Sequence, residues 1–156
     1  MLKIKLTANL LFVLSVAFVL NACKPMIAAY DQYAYTQTTS IKIDVLNLID
    51  KSNESYFKHQ QETEEVVSSI NKMKEYERHR TNDQTTSQMW EVIIDSTGEK
   101  GLVGRFLTKW KNDTTIKKII IEDAKPLIGY GFDLIAELES KKLKKNDQSI
   151  QTFLHK

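Results

Sequence analysis

From Tyr30 to Leu138 the apolar residues recur every three or four positions, and this helical period constrains the fold more than any other feature of the chain. Tyr30, Ala34, Thr38, Ile41, Val45 and Leu48 form one stripe, with Asp31, Lys42 and Asp44 off it. Tyr56, Thr63, Val67, Ile70, Met73 and Tyr76 predict a second, highly charged helix ending near His79, with Ser55 of the Ser52-Asn53-Glu54-Ser55 break as its N-cap. After the Thr81-Asn82-Asp83 punctuation, Met89, Trp90, Val92, Ile93 and Ile94 supply a third helix. The β-branched run Val92-Ile93-Ile94 is also compatible with a short strand, but no strand of similar quality lies nearby, and a lone strand leaves its backbone unpaired.

A turn at Ser96-Thr97-Gly98-Glu99-Lys100-Gly101 leads to a short amphipathic segment with Leu102, Val103, Phe106, Leu107 and Trp110. Asn112-Asp113-Thr114 is expected to cap the next helix, with Ile116, Ile119, Ile120 and Ile121 as buried positions. Pro126 removes a backbone donor and crowds the preceding turn, so this helix is expected to kink or restart there, softened by Gly129 and Gly131, before Phe132, Leu134, Ile135 and Leu138 resume the stripe. Beyond Lys141 the polar residues predict a frayed tail over 141–156. The expected fold is all-α: an up-and-down bundle over 30–140 of about four main helices plus a short extra one, the last kinked near Pro126. With 156 residues, five Gly and two Pro, the chain suits one cored domain and excludes collagen-like or Pro-rich architectures.

The first 22 residues read differently. Lys3 and Lys5 precede an apolar run, Leu10 to Leu20, that is shorter than the roughly 20 residues needed to cross a bilayer as a helix. The run ends in Leu20-Asn21-Ala22-Cys23, and Cys23 is the one cysteine of the chain. This resembles the lipobox of bacterial lipoproteins, with Leu three residues before the cysteine and a small residue directly before it; Asn21 departs mildly from the pattern. The resemblance covers residues 1–23 and implies cleavage after a signal peptide at 1–22, a diacylglyceryl group on the Cys23 thiol and acylation of the new amino terminus. Two or three acyl chains hold a protein stably on a membrane, where one does not. In enterobacterial lipoproteins an Asp after the cysteine retains the protein in the inner membrane, so Lys24 implies sorting to the outer membrane, facing the periplasm. Residues 23–29 form the lipidated terminus and tether, and a six-residue spacer reaches only about 20 Å, which holds the folded part close to the bilayer.

Removal of Lys3 and Lys5 leaves 22 − 2 = 20 basic against 20 acidic side chains. Net neutrality argues against a nucleic-acid surface, which needs spare cations. The local exception is Lys141, Lys142, Lys144 and Lys145, read as a solubilising tail, with contact to anionic headgroups as the alternative.

No catalytic constellation is legible. The one thiol is expected to carry lipid, no Gly-x-Ser-x-Gly motif occurs, and no Ser/His/Asp spacing suggests a triad. His59 and His79 would face opposite sides of a helix, and His59 with Glu62 lacks the second Glu-x-x-His of a bundle metal site, so both are read as parts of a charged face. Gly98, Gly101, Gly129 and Gly131 are read as turn and kink glycines, since none belongs to a phosphate-loop motif. The expectation is therefore no enzyme, no cofactor and no metal. Tyr30, Tyr33, Tyr35, Thr36, Thr38, Thr39 and Ser40 make the first helix unusually rich in hydroxyls. Packing in the core is the first reading for these tyrosines and for Trp90 and Trp110; the second is a partner or ligand surface built from Tyr30, Tyr33, Thr38, Trp90, Trp110 and Tyr130. The functional expectation is a membrane-anchored protein-interaction module that binds an envelope or secreted protein, as an accessory subunit of an envelope or secretion complex or as an immunity or exclusion factor. The alternative is a small-ligand carrier or sensor with a cavity between helices near Pro126.

Overall fold

The computed structural model of the protein describes residues 30–80, 84–98 and 101–155. All regular structure among them is helical: α1 (Gln32–Asp50), α2 (Gln60–Arg80), α3 (Thr85–Ile94), α4 (Val103–Asp113), α5 (Lys118–Glu139) and α6 (Gln148–His155), with two 3₁₀ turns, Lys51–Asn53 and Tyr56–Lys58, between α1 and α2. The lipobox with Cys23, the following Lys24, the remainder of the tether and Thr81-Asn82-Asp83 lie outside the described residues.

Helix α1 starts where Asp31 accepts the Ala34 amide (3.0 Å), which satisfies one of the donors a helix start leaves free. Its buried residues, Ala34, Thr38, Ile41, Val45, Leu48 and Ile49, follow the predicted stripe, except that Tyr30 is exposed. That stripe packs chiefly on α5 and then on α2. Lys42–Asp133 and Asp50–Lys125, both 2.6 Å, show α1 antiparallel to α5. Tyr76 on Asp31 at one end and Lys51 on Glu62 at the other show α1 antiparallel to α2. Exposed pairs of this kind contribute little energy, and their value here is that they report register.

The core is closed by aromatic contacts. Trp90 meets Phe132 edge-on at 5.7 Å, and Trp110 meets Tyr56 edge-on at 5.4 Å while donating to the Glu54 carbonyl (2.9 Å). Beside it, the Tyr56 amide donates to the Thr114 carbonyl (2.8 Å) and the Ile116 amide to the Ser52 carbonyl (2.7 Å), which joins the α1–α2 connection to the α4–α5 connection.

Several sequence expectations need correction. Ser55 precedes a 3₁₀ turn and makes no side-chain cap, and α2 begins at Gln60. Asn112-Asp113-Thr114 ends α4 instead of capping α5, which starts after Lys117. Ile116 and Ile121 are buried, but Ile119 is exposed. Helix α5 does not restart at Pro126. Pro126 and Glu122 both face solvent, so water can serve the Glu122 carbonyl that the proline leaves without a helical donor.

Within the expected polar tail, Gln148–His155 form helix α6. Asp147 accepts the Ser149 amide (3.0 Å) at the start of α6, and Ile150 is buried with Phe153 and Leu154 packed against the core.

Two glycines permit close approach. A Cβ on Gly104 would lie 2.0 Å from the Ile94 carbonyl oxygen and 2.5 Å from that of Asp95, so the end of α3 rests on the backbone of α4. Gly131 is a packing residue, since its Cβ would fall 2.8 Å from Leu102 and 3.1 Å from Ile93 and Phe153. Gly129, on the opposite side of α5, has only ordinary contacts, the nearest at 3.6 Å. Gly104→Ala is therefore expected to destabilise the protein by about 1–3 kcal/mol, whereas Gly129→Ala should be neutral or stabilising by up to about 1 kcal/mol through helix propensity. Urea unfolding midpoints of the two variants check this, and equal effects would contradict the packing.

Candidate functional site

The stripe that buries Val66, Ile70 and Met73 on α2 continues in phase to Glu77, and the stripe of Ile128, Phe132 and Ile135 on α5 continues in phase to Glu139. Both carboxylates are thereby delivered into the core, with 1% and 5% of their surface exposed. Such groups are costly to bury unless paired. Arg80 supplies the pairing. Its Nε and one terminal nitrogen donate to Glu77 Oε2 at 2.9 and 2.8 Å, and the same terminal nitrogen reaches Glu139 Oε1 and Oε2 at 2.6 and 2.7 Å. Its other terminal nitrogen lies 3.7 Å from Asp31 Oδ2, and Thr86 donates to Glu139 at 3.2 Å. One guanidinium thus ties together the start of α1, the end of α2 and the end of α5, and Glu139 extends the network to Thr86 in the first turn of α3.

Three carboxylates share that one cation. Burial, with the charges of Glu139 and Asp31, pushes the Glu77 carboxyl up to about 7 despite its bonds to Arg80, and Glu77 Oε1 is buried with no hydrogen-bond partner among the described residues. Burial also raises Glu139, against Arg80 and Thr86. For Asp31, partial burial is outweighed by the Ala34 amide, the Tyr76 hydroxyl and Arg80, which hold it below its ordinary value. Tyr76, which donates to Asp31 at 2.7 Å, is raised to about 12, first by that bond and then by burial. The cluster therefore keeps its charges unequal, with Asp31 ionised and Glu77 taking up a proton near neutrality.

The surface over this cluster is aromatic and basic. Tyr30 and Tyr33 are 51% and 54% exposed, which corrects the reading that they pack in the core. Tyr33 stacks at 5.1 Å on Tyr76, and Tyr30 lies 6.5 Å from Tyr35. Beyond Glu139 the chain turns through Lys141, which adopts a left-handed conformation (φ 61°), while the Lys142 and Leu143 amides donate to the Glu137 carbonyl at 2.9 and 3.2 Å. This closes the last turn of α5 as a structured C-cap and displays Lys141, Lys142, Lys144 and Lys145 on the surface.

The other predicted site residues do not join this end. Thr38, Trp90 and Trp110 are fully buried and offer no surface. Trp90 Nε1 and Thr38 Oγ1 have no hydrogen-bond partner among the described residues. Tyr130 is half-exposed on α5. By the Lys42–Asp133 register it lies level with Val45, twelve residues or about 18 Å along α1 from Tyr33. Surface clefts open beside Arg105 and Leu127, beside Glu91 and Leu154, beside Lys51 and Glu62, and beside Tyr56 and Lys111; neither Thr38 nor Tyr130 lines any of them.

His59 precedes α2 and sits 3.5 Å from both Glu54 and Glu62, against the Trp110 ring. Lys51 bonds to Glu62 and, with burial opposing it, holds that carboxyl below its ordinary value. No group of three or more metal-ligating side chains occurs among the described residues, and no helix there is long and apolar enough to cross a membrane.

No protein-family model, curated protein or solved structure matches the chain.

The buried cluster was missed in the sequence although its signal was present: two glutamates at core phase, Ile70-Met73-Glu77 and Phe132-Ile135-Glu139, with an arginine three residues after the first. Arg80→Ala strands two buried carboxylates and should cost about 3–5 kcal/mol in urea unfolding. Glu77 is raised in the fold from an ordinary value of 4.5 to about 7, so the native state binds the extra proton between those values. Its contribution to stability is complete below 4.5 and lost as pH rises through 7, whereas that of Asp31, held low, is complete above 3.8 and lost as pH falls below it, so it is constant between pH 4.5 and 8. Glu77→Gln should therefore match the wild type near pH 4.5 and exceed it at pH 8 by about 1–3 kcal/mol. Equal destabilisation at both pH values would contradict this charge distribution.

Proposed function

We propose that the chain is a lipid-anchored lipoprotein of the bacterial envelope whose helical domain is a protein-interaction module. The observation that carries the anchor is Leu20-Asn21-Ala22-Cys23, placed after a basic start and a short apolar run, with Cys23 the one cysteine of the sequence. In this reading Lys24 directs the protein to the outer membrane, with the domain facing the periplasm. The long helices form an up-and-down bundle with α5 bent near Pro126; the antiparallel pairings of α1 with α2 and α5 support it.

What supports a protein partner is the outer face of α5. Ile119, Leu127 and Tyr130 are each at least half exposed, and at 100° per residue they fall within an arc of about 80°. Large apolar side chains grouped on one face, with an aromatic among them, suit a protein contact. The partner is an envelope protein or a secreted protein, with this chain as an accessory subunit or as an immunity or exclusion factor.

Cys23→Ser should abolish lipid labelling and detergent-phase partitioning; persistence of both contradicts the anchor. Crosslinking on intact envelopes should capture a protein partner. Leu127→Ser with Tyr130→Ser should weaken that capture at least about tenfold if they are anchor residues of the contact. Unchanged capture contradicts the assignment of the α5 face.

A further inference from the structure

We infer that the bundle end carrying Tyr30, Tyr33 and the Lys141–Lys145 turn docks on an anionic phospholipid surface, so that the anchored domain stands on the membrane in one orientation. This rests on the proposed acylation of Cys23. Three observations converge on it.

The first is reach. Six residues separate Cys23 from Tyr30, a span of about 20 Å at full extension. Helix α1, with 19 residues, is about 28 Å long. The tether is shorter than the bundle, so the end that bears Tyr30 is kept beside the bilayer.

The second is the chemistry of that end. Tyr30 and Tyr33 are each more than half exposed, and Tyr33 stacks on Tyr76, whose hydroxyl is held by Asp31; exposed tyrosines of this kind are favoured at a membrane–water interface.

The third is charge, and here the fold brings in what the sequence keeps more than a hundred residues apart. Asp31 lies 3.7 Å from Arg80, and Arg80 lies 2.6 Å from Glu139, two residues before Lys141. The lysine turn is therefore placed at the tethered end. Arg78 lies at the same end, paired with Glu75. Of the acids at this end, Glu77 and Glu139 are paired with Arg80 in the core, Asp31 lies beside Arg80, and Glu137 and Asp147 stand half-buried near the lysine turn. Four exposed lysines within five residues outnumber the two half-buried acids beside them, Glu137 and Asp147, so the turn is a local positive surface on a mature chain with 20 basic and 20 acidic side chains. Each cation near an anionic leaflet raises partition about fivefold.

The test uses the full acylated protein, with Cys23 acylation verified by mass, carrying Tyr33→Trp as a reporter and reconstituted into vesicles of brominated phosphatidylcholine with or without phosphatidylglycerol. Trp90 and Trp110 are buried and give the background in the parent protein. The expected result is a blue-shifted, bromolipid-quenched reporter in phosphatidylglycerol vesicles. Lys142→Glu with Lys144→Glu should reduce quenching to the level of pure phosphatidylcholine, while Lys58→Glu with Lys118→Glu, at the opposite end, should leave it unchanged. Helicity by circular dichroism checks that each variant is folded. An unquenched reporter on a correctly acylated protein overturns the docking surface and leaves the anchor standing, as does equal loss from both lysine pairs. Absence of acyl mass on Cys23 overturns the anchor and the docking with it.

Discussion

The buried guanidinium of Arg80 is the interaction on which the arrangement of the helices turns. Apolar stripes tell helices which face to bury but leave sliding and rotation loosely specified, because dispersion and hydrophobic burial have little direction. Arg80 has a fixed fork of donors, and here the fork is filled by carboxylates from α2 and α5 and approached by a third from the start of α1. A buried ion pair is weak evidence for stability, since burying the charges costs about as much as their attraction returns. Its effect in this fold is on geometry: it brings four helix ends together and so decides that residue 30 and residue 141 emerge at the same place.

The helical content and most of the core were legible in the sequence, for a simple reason. Ala34, Thr38, Ile41, Val45 and Leu48 repeat at the helical period with charged residues between them, and Trp90, Trp110 and Phe132 are large enough that burial dominates any alternative. Where the signal depended on partners distant in sequence, it was not legible. Glu77 and Glu139 resemble solvent-facing glutamates until each is phased against its own stripe and the other is recognised as sharing Arg80. Gly104 is unremarkable in sequence because the carbonyls that crowd it belong to the end of another helix. Helix α6 was lost in a polar composition, since its burial rests on Ile150, Phe153 and Leu154 meeting a groove formed by α3 and α5. The exposed tyrosines failed in the opposite sense: Tyr30 fits the α1 stripe by spacing, but it precedes Asp31, the cap residue, and the stripe has no core to meet there.

The clamp also organises the surface. Formal neutrality hides a polarised molecule: the carboxylates near Arg80 point inward, and the lysines beyond Glu139 point outward. In the proposed setting the two exposed features serve different surfaces, the tyrosine and lysine end facing lipid and the Ile119–Leu127–Tyr130 face of α5 left clear for a protein. A single buried charge network would thus set which side of an anchored domain is available to a partner.

Amide hydrogen exchange on the acylated protein, compared between anionic vesicles and detergent micelles, is the most direct measurement of that orientation. Docking through the tyrosine and lysine end adds protection on vesicles at residues 30–36 and 138–145, with none at 50–62 or 111–118, which lie at the opposite end of the bundle. Protection at 50–62 and 111–118 instead, or no difference between the two ends, would contradict it.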